Sequence, residues 1–332
     1  MKAWQVHELG EPRDVLQLAE IPSFRAGSGQ VRVRVLAVAA NFPDVLMCRG
    51  LYQVRPPLPF TPGVEVCGEV LVGTAGISRL SPLGAGTRVI GTAALPHGGF
   101  AEEALLDAAV TFPAPTALDD AQAAGLLIAY QTAWFALHRR ARIQPGETLL
   151  VHAAAGGVGS AAVQLGRLAE ATVIAVVGGP DKVQVARDLG ADLVVDRRSE
   201  DVVGAVKAAT DGRGADVVID PVGGEAYEQS TRCIAFEGRI VVVGFASGTI
   251  PHPSLGHALV KNYSLLGLHW GLYAQRDPQS LVDCHAELTR LVDAGEITPL
   301  VGERLGFDQV PAGLQRLADG RTVGRVTWVA DA

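Results

Sequence analysis

One stretch constrains the fold of this chain more than any other: residues 148–169, TLLVHAAAGGVGSAAVQLGRLA. An apolar run at 148–153 leads into a glycine-rich turn. Val158, Ala162, Leu165 and Ala169 then recur at helical spacing. Set against G-x-G-x-x-G, Ala154 takes the first glycine's place, while Gly156 and Gly159 match. Bare backbone between a strand and a helix lets a pyrophosphate reach the turn amides and the positive helix end. The motif is imperfect and weak alone. Its strand-before, helix-after context makes dinucleotide binding the expectation.

The neighbouring sequence supports that context. Strands are predicted at 172–177, 192–195, 216–220, 239–243 and 263–268, with helices at 181–189 and 201–209. Continuous β-branched runs alternating with helices point to a parallel sheet covered on both faces. The first 120 residues have a different texture. Val31, Val33 and Val35 alternate with Arg32 and Arg34, so 30–40 reads as a strand with one wet face. Further short strands at 64–72 and 88–92 lie between Pro- and Gly-rich turns, which suggests a barrel or sandwich. Residues 119–137 are Ala-rich and read as one helix. The last 65 residues are mixed, helical at 283–293 and extended at 325–329. A chain of 332 residues asks for two domains at about 150 each. The expected class is α/β, with a doubly wound domain at 123–267 inserted into a β-rich one made of 1–122 and 268–332.

Charge and cysteine usage exclude several functions. Net charge is −7, so there is no basic field for a polyanion, and no nucleic-acid partner is expected. No run of about 18 apolar residues occurs and the first residues, MKAWQVHE, carry no apolar signal segment, so no membrane association is expected. Cys48, Cys67, Cys233 and Cys284 form no C-x-x-C pair, and read as separate reduced thiols of a cytoplasmic protein. The histidines His252, His257 and His269 lack ligand spacing with a third residue, so no metal is expected. His152, on the apolar run before the glycines, reads as a satisfied core histidine. Arg139, Arg140 and Arg142 suit a helix C-terminus.

The second strand bears on which dinucleotide binds. NAD enzymes place an acid at its tip to hold the ribose 2′-hydroxyl. Here Val177 is followed by Gly178, Gly179 and Pro180. Asp181 follows the proline at a helix start, where it favours the dipole. Lys182, Arg197 and Arg198 offer cations for a 2′-phosphate, so NADPH is the expected cofactor.

These residues resemble the zinc-independent quinone oxidoreductases of the medium-chain dehydrogenase/reductase superfamily, the ζ-crystallin-like branch. The segments that carry the resemblance are NFPD at 41–44, RGLY at 49–52, PGVE at 62–65, GGFAE at 98–102 and HAAAGGVG at 152–159. LGAD at 189–192, ADVVID at 215–220 and GRV at 324–326 complete them. They run the length of the chain in order. The resemblance implies a GroES-like β-rich catalytic domain with an inserted Rossmann domain. It also implies a homodimer paired through the last Rossmann strand. It places Asn41 beside the nicotinamide and its ribose, Tyr52 in the substrate cleft and Thr132 on the nicotinamide side. Gly156, Gly157 and Val158 would meet the pyrophosphate, and Gly178 and Lys182 the 2′-phosphate. Phe245 and Ser247 would border the cofactor, and Arg321 would reach toward the phosphate. Where the family often has a tyrosine after the third strand, this chain has Arg197.

Zinc alcohol dehydrogenases of the superfamily hold their metal through a Cys and a His in matching segments. Those segments read AVAAN at 37–41 and GVE at 63–65 here, and Ala and Val cannot ligate zinc. Without a Lewis acid an unactivated alcohol is a poor substrate. A quinone or conjugated enone spreads the charge brought by hydride over its own π-system and needs only proximity and a donor. Tyr52 is the candidate donor, and a packed aromatic on the cleft wall is the plainer reading of it. The expected function is zinc-independent hydride transfer from NADPH to a quinone or activated enone. Reduction of enoyl thioesters such as acyl-CoA is the alternative.

Overall fold

The computed structural model describes residues 1–72 and 83–330. It divides into two compact units, one of Met1–Ile128 with Leu272–Ala332 and the other Ala129–Gly271.

The first unit is built on β-strands. β1 (Lys2–Val6) and β2 (Leu16–Glu20) form an antiparallel pair. β3 (Gln30–Ala39), β4 (Glu65–Val72), β5 (Arg88–Ala93) and β6 (Glu103–Pro113) pair in sequence, and β6 returns to pair with β3. That closure leaves neither β3 nor β6 as a free edge and gives β6 two partners. Its side chains are buried on both faces along most of its length. The period-two pattern is therefore erased, which is why the sequence does not announce this strand. In β3 the alternation is preserved: Val31, Val33 and Val35 are buried and join the core, with Phe60, Phe100 and Leu106.

The second unit is a six-stranded parallel sheet. Its strands are β7 (Thr148–Val151), β8 (Thr172–Val177), β9 (Leu193–Asp196), β10 (Ala215–Asp220), β11 (Ile234–Val242) and β12 (Ser264–Gly267). Their order is β12-β11-β10-β7-β8-β9, so the winding reverses between β7 and β10. This is the doubly wound Rossmann arrangement, and ligands of such sheets bind at the carboxyl ends of the strands near that reversal. Leu150, Ile174, Val176, Val195, Val218 and Ile240 fill one core of this unit. The chain then returns to the first unit. There the helix Pro278–Asp293 begins five residues before the predicted segment, and β13 (Val301–Leu305) pairs with β14 (Arg325–Val329), which joins β3.

The single helix expected at 119–137 is instead broken. Asp119 caps a short helix, Asp120–Ala124, that ends at Gly125. A second helix runs Leu127–Trp134 and passes into a π-helical segment, Phe135–Ala141. The break frees the Ile128 amide, which donates to Glu65 Oε1 at 2.7 Å. A tertiary carboxylate has displaced a local helical bond. Arg142 closes the segment in the left-handed conformation, φ 51°. His152 lies one residue past the end of β7, fully buried, with its Nε2 2.9 Å from Ser230 Oγ.

Candidate functional site

In the second unit the candidate residues gather at the carboxyl ends of the parallel strands. β7 ends at Val151, and the chain turns through Ala153, which is held at φ 50°. Gly156 then N-caps the helix Gly157–Leu168. No side chain caps that helix, so its first amides, at Gly157 and Val158, face outward for an anion. Gly159 is required by packing: a Cβ there would lie 2.1 Å from the Ala153 carbonyl oxygen.

The tip of β8 carries the second group. An added Cβ at Gly178 would meet Arg197 Nε and Nη2 at 3.2 Å, and at Gly179 it would meet Asp181 Oδ1 at 2.6 Å and Arg198 Nη1 at 3.0 Å. Two guanidinium groups therefore lie over two glycines. Gly179 also adopts φ 134°, a conformation that side chains disfavour. Lys182 stands close by in a short 3₁₀ turn, Pro180–Lys182. Burial pulls its pKa down, and Arg198 and Arg197 add to that while Asp181 opposes it. Three cations thus share one small region with two carboxylates, Asp181 and Asp196. Small residues flanked by cations fit a 2′-phosphate dianion, as the bare helix end fits a pyrophosphate.

The loops after β10 and β11 complete this edge. Asp220 Oδ1 accepts from the amides of Val222 and Gly223 at 2.8 and 2.9 Å. The Ala246 and Ser247 amides bond the carbonyls of Pro221 and Val222, which holds the loop with Phe245 and Ser247 against its neighbour. Thr132 lies apart from these loops along the chain, buried in the helix Leu127–Trp134.

In the first unit Asn41 N-caps the helix Phe42–Cys48. Its backbone amide donates to Asp44 Oδ2 at 2.8 Å. Its Nδ2 donates to the Ala39 carbonyl at 3.1 Å and to Glu65 Oε2 at 2.9 Å. Arg325 Nη1 donates to Asn41 Oδ1 at 3.0 Å, and Arg325 Nη2 bonds Glu65 Oε2. Arg325 and Glu65 are both buried. Burial pushes the Glu65 pKa up, against the pull of Arg325, Asn41 and the amides of Ile128 and Leu127. Asp44 is fully buried and pushed up to about 6 by burial, against the amides of Asn41, Gly63 and Val64. Tyr52 is half-buried on the core of this unit. Burial raises its pKa and Asp44 raises it further, so the phenol is protonated at neutral pH. Arg321 is exposed, 4.0 Å from Asp319.

Three residues at these sites escaped the sequence reading: Glu65 and Arg325, which fix Asn41, and Asp196 at the end of β9. Glu65 and Arg325 stand in the segments PGVE and GRV that carry the resemblance, but the sequence assigns neither a role. Among the described residues no group of three or more His, Cys, Asp and Glu side chains is placed to hold a metal ion.

Comparison with known proteins bears on the family and the fold. Residues 27–116 match the family described as alcohol dehydrogenase GroES-like domain, and residues 157–287 the family described as zinc-binding dehydrogenase. The chain is 37% identical over 327 residues to a quinone oxidoreductase-like protein 2 homolog of Nematostella vectensis, covering 98% of this chain and 88% of that one. It is 34% identical over 284 residues to the phthioceranic/hydroxyphthioceranic acid synthase of Mycobacterium tuberculosis, covering 85% of this chain and 13% of that one. The crystal structure of Escherichia coli quinone oxidoreductase complexed with NADPH superimposes with a TM-score of 0.89 at 29% identity, covering 99% of this chain and 100% of that one.

Proposed function

The chain belongs to the zinc-independent quinone oxidoreductase family of the medium-chain dehydrogenase/reductase superfamily, and on that premise we propose that it is an NADPH-dependent oxidoreductase that reduces a quinone or activated enone without zinc. The observation that carries the cofactor is the pair of guanidinium groups over Gly178 and Gly179, with Lys182 beside them. Bound NADPH supplies the hydride. The amides at the start of the Gly157–Leu168 helix hold the pyrophosphate, while Phe245 and Ser247 border the cofactor. Arg197, Arg198 and Lys182 hold the 2′-phosphate. Asn41 and Thr132 serve the nicotinamide end. Tyr52 keeps its proton at working pH and hydrogen-bonds the oxyanion that develops on the acceptor.

The test follows NADPH and NADH oxidation by absorbance, after chelator treatment, with 1,4-benzoquinone, 9,10-phenanthrenequinone and crotonyl-CoA. Quinone-dependent loss of NADPH, little loss of NADH and no effect of chelator are expected. Arg197→Ala or Lys182→Ala should each raise the KM for NADPH by about tenfold or more, since a hydrogen bond to a charged group is worth about 1.5–3 kcal/mol. Equal use of NADH by the native enzyme would sink the cofactor reading. Turnover of crotonyl-CoA with no turnover of quinones would establish the enoyl thioester alternative.

The proposal includes a homodimer. Among the described residues β12 pairs only with β11 and is an edge of its sheet. The helix Leu255–Lys261, just before it, exposes Leu255, Leu259 and Val260, and Ile250 and Phe236 are exposed as well. An unpaired edge beside exposed apolar side chains suits pairing with a second copy. Light scattering should report a dimer for the native protein and a monomer for the double variant Leu259→Glu, Val260→Glu. A monomeric native protein would overturn this. No helix among the described residues is long and apolar enough to cross a membrane. The four cysteines are free and buried, which fits the cytoplasmic location that we also propose.

A further inference from the structure

We infer that Asp196 is a positioning residue for cofactor specificity: its carboxylate ties the loop after β8 to the loop after β9 and so sets the two arginines over Gly178 and Gly179. The inference rests on the NADPH reading above and concerns how this chain builds the phosphate site.

Asp196 ends β9 directly beside the tip of β8, in register with Val177. It is buried, unlike the charged residues that follow it. Its Oδ1 accepts from the Gly179 amide at 2.9 Å and from the Arg198 amide at 3.1 Å. One oxygen atom therefore joins two separate loops. The Arg197 amide continues the ladder by donating to the Val177 carbonyl at 3.0 Å. The Asp196 carbonyl accepts from Ser199 and Glu200, and its own amide donates to Glu200 Oε1 at 2.8 Å. The backbone on both sides of Arg197 and Arg198 is thus fixed from a single residue.

The position of this acid has a chemical meaning. In NAD enzymes the acid sits at the tip of the second Rossmann strand and takes the ribose 2′-hydroxyl. Here Asp181 stands beside that tip, and a second acid, Asp196, lies one strand over and turns its oxygen to backbone amides. A carboxylate facing a phosphate dianion would repel it. A carboxylate spent on two amides instead orders the loops that carry the cations. Arg197 and Arg198 are long side chains with large rotamer entropy, and a fixed backbone lowers the cost of placing them.

Two variants separate position from charge. Asp196→Asn keeps an oxygen that can accept from both amides, and Asp196→Ala removes it. The first readout is equilibrium binding by calorimetry of adenosine 2′,5′-bisphosphate against AMP, which needs no turnover. Asp196→Ala should weaken the bisphosphate about tenfold and leave AMP within twofold. Asp196→Asn should stay within threefold of the native protein for both. In turnover, Asp196→Ala should raise the KM for NADPH with kcat and the KM for NADH within twofold. Where alanine does not fold, as judged by thermal melting, Asp196→Ser serves, because its hydroxyl is too short to reach both loops. Equal weakening of both nucleotides, no change in Asp196→Ala, or tighter bisphosphate binding in Asp196→Asn would each overturn the inference. Failure of the NADPH reading itself looks different: the native protein would then show no preference for the bisphosphate over AMP.

Discussion

Replacing Gly159 by alanine should abolish measurable NADPH binding and lower the melting temperature. On propensity alone the change favours the helix, since glycine inside a helix costs about 1 kcal/mol relative to alanine. Packing reverses that sign. The new methyl would sit 2.1 Å from the Ala153 carbonyl oxygen, 2.7 Å from its carbon and 2.8 Å from Ala154 Cα. All three are backbone atoms, so no side-chain rotation relieves the clash. The turn must move by the best part of an ångström, and it is the turn that presents the Gly157 and Val158 amides. Overpacking of this kind costs about 1–3 kcal/mol. For a chain of this size that lowers the melting temperature by several degrees, at roughly 2–4 °C per kcal/mol. Nicotinamide fluorescence should show at least a hundredfold weaker binding. Native affinity in this variant would mean that the pyrophosphate does not use the turn.

The second large effect is expected at Arg325. Its guanidinium is buried against the fully buried Glu65 and also holds Asn41. Arg325→Leu leaves a carboxylate in the core with only the Asn41 side chain and the Ile128 and Leu127 amides as donors. Removing one partner of a buried pair costs about 3–5 kcal/mol, which urea denaturation would read as a clear fall in midpoint. The pH dependence has a defined sign. Burial already raises the folded-state pKa of Glu65 above its ordinary value of 4.5, and Arg325 opposes that rise. Without Arg325 the folded pKa climbs further, so the folded state binds the extra proton. Stability from that proton is present at low pH and lost as pH rises through the raised pKa. The deficit of Arg325→Leu should therefore narrow from pH 8 toward pH 5. Adding Glu65→Gln should recover much of it. A deficit independent of pH and unrelieved by Glu65→Gln would show that lost packing, not the stranded carboxylate, is the cause.

Much of the second unit was legible because its signals are local. The β-branched run of β8 and the helix start at Asp201 depend on neighbours within a few residues, and the predicted 172–177 coincides with Thr172–Val177. The glycine motif marked the strand–turn–helix for the same reason. The first unit hid more. β6 lost its alternation by being buried on both sides, and the Ala-rich helix broke because Glu65 competes for the Ile128 amide. The Arg325–Glu65 pair spans 260 residues of sequence, and no pattern in either segment names the other. Asp196 was missed because the adjacency that matters runs sideways, from β8 to β9, and sequence spacing counts only along the chain.

The saturation of Asn41 decides what it can say to a ligand. A carboxamide has two hydrogens to give and two lone pairs to receive. Both hydrogens are committed, to Ala39 and Glu65, and one lone pair is taken by Arg325. One lone pair remains. Asn41 is therefore deaf to any oxyanion and can answer only a hydroxyl or an N–H. A sugar hydroxyl or a carboxamide nitrogen is such a group, whereas the oxygen of a quinone is not. Whatever proton steadies the reduced acceptor must come from another side chain or from water.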